Sequence, residues 1–163
     1  QLQNTNAPLV QLALSFLVVG LGEELFKLVA VYLAVIGAEE FSEPMDGILY
    51  AIATGIGFSV VENILYISAF GLAVAPLRGT IAVLAHISFS GLAGSFLGRA
   101  RFEDRPFFTL AKGLAVAVWA HGLYDFLLIT EAFSPLTVVV YIGMLQYMLF
   151  AAIRRAVKSP AQR

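Results

Sequence analysis

Apolar residues fill this chain in long stretches, interrupted at only a few places by polar or proline-containing segments. The stretches are Leu9–Ile36, Met45–Phe70, Leu77–Gly98, Phe107–Ile129 and Leu136–Val157. A helix needs about 20 apolar residues to cross a hydrocarbon core of about 30 Å, so each stretch predicts one transmembrane helix. The interruptions suit that division. Gly37 to Pro44 is an acidic turn, Gly71 to Pro76 a tight link, Arg99 to Pro106 a charged loop, and Ser134-Pro135 stops the fourth helix. The pattern predicts an all-α fold: a multipass transmembrane bundle of about five spans, forming a single integral-membrane domain over residues 1–163.

Composition agrees and narrows the function classes. Of the residues, 60% are hydrophobic and 13% charged, and the mean hydropathy is +0.86. A soluble domain has about 45–50% apolar and about 25% charged residues, so the surface must face lipid. A net charge of −1 offers no basic face for nucleic acid. The absence of cysteine excludes disulfides, thiolate metal sites and a cysteine nucleophile. Arg99, Arg101 and Arg105 follow the third span, and Arg154, Arg155 and Lys158 end the fifth. With five spans both clusters fall on one side, which the positive-inside rule makes cytoplasmic, so the carboxyl terminus is expected there.

The remaining charges lie inside the spans: Glu23, Glu24 and Lys27 on the first, Glu62 beside Asn63 on the second, and Asp125 on the fourth. His86 and His121 join them from the third and fourth. A charged side chain at a helix centre costs at least about 2.5–3.5 kcal/mol in lipid, so these groups must meet one another or water. Counted from the outer ends of their helices, Glu62, His86 and His121 all lie roughly 12–14 Å deep. Glu23 counts deeper, and tilt of its helix would bring it level. One shared polar cavity is expected.

The faces agree with the depths. His86, Ser90, Gly94 and Gly98 recur every four residues on one side of the third span, and Gly113, Ala117, His121 and Asp125 do so on the fourth. Stripes of small residues let membrane helices approach closely, so Gly94 and Gly98 read first as a packing seam. Lys27 stands three residues from Glu24 and four from Glu23, where it can neutralise one carboxylate and leave the other as a base. Asp125, one turn after His121, can orient that imidazole. Tyr66 and Tyr124 are within reach of the cavity.

A glutamate and two histidines supply the base, oxyanion donor and acid that amide hydrolysis needs. Alternatively, Glu62, His86 and His121 form a carboxylate and two-imidazole set of the kind that holds catalytic zinc, with one position left for water. The HExxH pattern is absent. Only one aspartate lies in a span, which argues against an aspartyl dyad.

In order along the chain, Glu23-Glu24-Leu-Phe-Lys27 resembles the EExxK motif of PrsW-type intramembrane proteases, and Phe58-Ser-Val-Val-Glu62-Asn63 resembles their second motif. His86 and His121-Gly-Leu-Tyr-Asp125 look like the third and fourth. The group is similar in turn to the CAAX prenyl protease and bacteriocin-immunity superfamily, from whose pattern this chain departs with Lys27 for Arg, Glu62 for the first His and Asp125 for Asn. The resemblance implies an intramembrane endopeptidase in a prokaryotic cytoplasmic membrane that cuts membrane-anchored proteins or peptides such as anti-sigma factors. It implies a catalytic set of Glu23, Glu24, Glu62, His86, His121 and Asp125, supported by Lys27 and Asn63. Glu23 or Glu24 would activate water, His86 would help to hold it, and His121 with Asp125 would stabilise the oxyanion or move a proton. No metal is then obligatory, although zinc is possible. The rival readings are a proton- or metal-ion-coupled transporter using the same cluster and a non-catalytic membrane scaffold.

Overall fold

The computed structural model describes residues 7–35, 37–130 and 133–158. They form five helices long and apolar enough to cross a membrane: α1 (Pro8–Val35), α2 (Pro44–Phe70), α3 (Arg78–Ala100), α4 (Pro106–Ile129) and α5 (Pro135–Lys158). Ile36, the expected end of the first span, lies outside the described residues.

Four of these helices open on a proline, and for three of them it is the proline that the sequence pattern assigns to the preceding break. The reason is that proline costs nothing at the first helical position, where its missing N–H has no partner to lose. The acidic turn before α2 is part of the same apparatus. The Asp46 carboxylate accepts from the backbone N–H groups of Ser42 at 3.0 Å and Glu43 at 2.8 Å, closing a capping box. At its other end α2 stops on Gly71, whose φ of +83° favours glycine. The link that follows carries a short 3₁₀ turn, Leu72–Val74.

Two stretches depart from α-helical bonding: Leu14–Gly20 inside α1 and Arg78–Ala82 at the start of α3 are π-helical. The i→i+5 turn takes up more residues per unit length than an α-turn. Glu23 therefore sits nearer the outer end of α1 than a uniform count from Leu9 gives.

α3 is the most buried helix and the other four surround it. Against α2 it packs through the expected glycine seam: a Cβ at Gly94 would lie 2.5 Å from the Gly47 carbonyl, and one at Gly55 would lie 2.8 Å from the carbonyl of His86. α1 meets α4 in the same manner, because a Cβ at Gly20 would come within 3.3 Å of the Gly122 nitrogen. These two contacts set Glu23 and Glu24, one turn beyond Gly20, opposite His121. α5 carries no ionisable residue into the interior. It closes the core with Tyr141, Ile142, Leu145 and Leu149 packed around Phe89 and Leu92, and the Tyr141 hydroxyl donates to the Ala120 carbonyl at 2.9 Å. Outward-facing residues such as Phe26, Leu33, Leu65 and Trp119 are more than 60% exposed, as lipid-facing side chains are.

Candidate active site

The polar residues of four helices meet in one cluster. Glu24 and Lys27, both nearly fully buried on α1, pair at 2.5 Å. Lys27 Nζ continues to His86 Nδ1 at 3.1 Å, and the other nitrogen of that ring, Nε2, lies 2.8 Å from Glu62 on α2. On the opposite side Glu24 reaches His121 Nδ1 at 2.7 Å. His121 Nε2 points the other way, 3.4 Å from Asp125 and 3.8 Å from Glu23. The two imidazole centroids are 5.3 Å apart. All six residues expected to act together thus share one site.

Of the two glutamates, Lys27 takes Glu24. Glu23 is the free acid: its Oε2 is buried and makes no hydrogen bond. Buried polar atoms are nearly always satisfied, so such an orphan invites a ligand, a water or an ion. The donor atoms that come within 4.8 Å of one another belong to Glu23, His86 and His121. This differs from the ligand set expected with Glu62, whose carboxylate is instead engaged between His86 and a cation.

That cation, Arg78, has no part in the motif-based reading. Its Nη2 pairs with Glu62 at 2.8 Å, its Nε donates to Asn63 Oδ1 at 3.2 Å, and its guanidinium lies 3.4 Å from the centre of the Tyr66 ring. Asn63 and Tyr66 therefore serve Arg78 and do not face the imidazoles. The signal was present in the sequence, since Arg78 stands two helical turns before His86 and belongs to neither cationic cluster. Phe89 was equally unassigned. It is completely buried, stacks on His121 at 4.8 Å and meets His86 edge-on at 5.9 Å, so it braces both rings. Its position three residues after His86 puts it on the same helix face. Tyr124 packs its ring on Phe89.

Comparison with known proteins places this geometry in a lineage. The model of the PrsW family intramembrane metalloprotease matches residues 1–153. The chain is 36% identical over 146 residues to Protease PrsW of Geobacillus kaustophilus, covering 88% of this chain and 63% of the relative. It is 30% identical over 141 residues to Protease PrsW of Clostridioides difficile, covering 80% and 58%, and 35% identical over 116 residues to that of Bacillus subtilis, covering 70% and 53%. It thus spans less than two thirds of the length of these relatives. No solved structure matches. With four ordered motifs gathered in one intramembrane cluster and a family match over nearly the whole sequence, the chain belongs to the PrsW family.

Proposed function

We propose that this chain carries the catalytic centre of an intramembrane endopeptidase that hydrolyses a peptide bond in membrane-anchored proteins, anti-sigma factors among them. The observation that carries the reading is the buried, unpartnered Oε2 of Glu23 beside two oriented imidazoles. A water lodged there loses its proton to Glu23 and attacks the carbonyl carbon of the scissile bond. Glu24 is held by Lys27 and His121, so its task is to fix that ring. His121, steadied by Asp125 beside its Nε2, donates to the oxyanion, and the proton that Glu23 took from water passes through this ring to the leaving amine.

The same residues fit a zinc-type cation: a carboxylate and two imidazoles converge, and the orphaned oxygen gives the site a donor with no other use. Glu23, His86 and His121 would hold it, and His86 would have to release one of its hydrogen bonds, to Glu62 or from Lys27, to do so. When bound, such an ion polarises a carbonyl and acidifies its water. In either case Glu23 acts on the water, as base or as ligand. Elemental analysis of the purified full-length protein is expected to find one zinc per chain, lost in His121→Ala, with cleavage abolished by a chelator. Full activity in metal-free protein would leave Glu23 as the unaided base.

The reading is tested by reconstituting the full-length protein in vesicles with a single-span substrate. Cleavage within or beside the span is expected; an intact substrate combined with Glu62-dependent ion flux would replace the enzyme with a transporter. Arg78 and Glu62 hold His86 from outside the cavity, and outer-shell partners of this kind are worth about 10–100-fold. Arg78→Gln should accordingly lower kcat about tenfold with KM little changed, and add nothing in a Glu62→Gln background. Additive losses in that cycle would detach Arg78 from Glu62.

A further inference from the structure

Away from the catalytic cluster, two cavities open between α3, α4 and α5. One, of about 360 Å³, is walled by Leu92, Phe96, Val116 and Met148, with Arg99 and Arg155 at its polar end. The other, of about 390 Å³, is almost wholly apolar and lies against Trp119 and Met144. Leu92, Val116 and Met148 line both, so the two adjoin and are taken together as one groove, with Arg99 and Arg155 lining only the first.

The groove follows from side-chain size. Tyr141, Met144, Met148, Ala152 and Arg155 recur at three- and four-residue spacing along one face of α5, and they span about 21 Å of helix. Ala152 on this face, with Ala115 and Ala120 opposite on α4, leaves space where larger residues would fill it. Two of the three methionines of the chain stand here, and methionine makes an adaptable wall for a flexible chain. At the polar end Arg99 is held in place: its Nε donates to the Ser95 carbonyl at 3.1 Å and its guanidinium lies 4.4 Å from the Phe96 ring centre. Its two terminal NH₂ groups are suited to a phosphate.

We infer that this groove binds an anionic phospholipid, with the headgroup phosphate between Arg99 and Arg155 and one acyl chain along Val116, Met148 and Trp119. Charge complementarity selects the ligand: a zwitterionic lipid would fill the apolar part but gain less from two arginines at one end. Arg154 and Lys158, neighbours on the same helix turn, add to the positive field there. By the positive-inside rule this end meets the cytoplasmic leaflet, where anionic lipids carry a negative surface potential. The inference stands apart from the proteolytic reading, because none of these residues belongs to the Glu and His cluster.

The test uses the full-length protein in detergent, titrated with phosphatidylglycerol or phosphatidylcholine of identical acyl chains. Bound lipid is read by native mass spectrometry and stability by the melting temperature. Phosphatidylglycerol is expected to bind about thirtyfold more tightly, the ratio that two basic residues give with an anionic headgroup, and to raise the melting temperature more. Arg99→Gln/Arg155→Gln should abolish the preference, Arg99→Lys/Arg155→Lys should retain most of it, and Met148→Trp should weaken both lipids. Soluble glycerol phosphate should have little effect, since it lacks the acyl chain. Equal binding of the two lipids, a preference that survives Arg99→Gln/Arg155→Gln, or a photo-crosslinker at Met148 that captures a substrate's transmembrane segment in place of lipid would overturn the proposal.

Discussion

Glu23→Gln is expected to lower the cleavage rate by about a thousandfold, the scale of a lost general base, while the protein melts within a few degrees of the parent. The second half of that expectation comes from geometry. Glu23 Oε2 makes no hydrogen bond, so an isosteric amide breaks none and gives up only the 3.8 Å contact with His121. Glu24→Gln should behave differently although it stands next in sequence. Glu24 neutralises Lys27 and bonds His121 in a nearly water-free setting. Removing one partner of such a pair strands the other charge and costs about 3–5 kcal/mol. Activity and stability therefore separate at Glu23 and fall together at Glu24. Cleavage assays paired with thermal melts in detergent would check this, and a Glu23→Gln protein that still cuts at the parental rate would remove the carboxylate from the mechanism.

Gly94→Leu is expected to disable the protein from a position with no functional group. The added side chain would meet the Gly47 carbonyl and Ala51 Cβ at 2.5–2.6 Å. Overpacking of this sort usually costs about 1–3 kcal/mol. The larger effect is on registration, because α2 delivers Glu62 and α3 delivers His86. Displacement of a reacting group by about 1 Å can cost a hundredfold in rate. Gly57→Leu on α2 is the matched control. A Cβ there meets nothing within 4 Å, and leucine is a better helix former than glycine, so activity and melting temperature should hold or rise slightly. Equal damage from both substitutions would mean that glycine matters in α2 and α3 for something other than the seam.

Much of this was legible in the sequence because a membrane enforces simple rules. Apolar length specifies the five helices, and the expense of burying charge in lipid already groups Glu23, Glu24, Glu62, His86, His121 and Asp125. The i,i+3 spacing of Glu24 and Lys27 left one glutamate free, although spacing alone did not say which. Other features were hidden for identifiable reasons. The π-helical stretch of α1 ends at Gly20, where that helix packs against α4, and no local pattern announces it or the one that opens α3. Arg78 was overlooked because a cation near a helix end reads as an interfacial anchor until a partner such as Glu62 is located. Replacement of Glu62 by Glu23 in the converging donor set follows from the same pairing.

Lys27 has a consequence for the direction of hydrogen bonding in the cluster. An ammonium can only donate, so the Nδ1 of His86 must accept, and the proton of that ring resides on Nε2, pointing to Glu62. A carboxylate can only accept, so Glu24 draws a proton of His121 to Nδ1 and turns the Nε2 of that ring toward Glu23 and Asp125. One ion pair on α1 thus sets both rings, so that His86 donates from Nε2 and His121 from Nδ1.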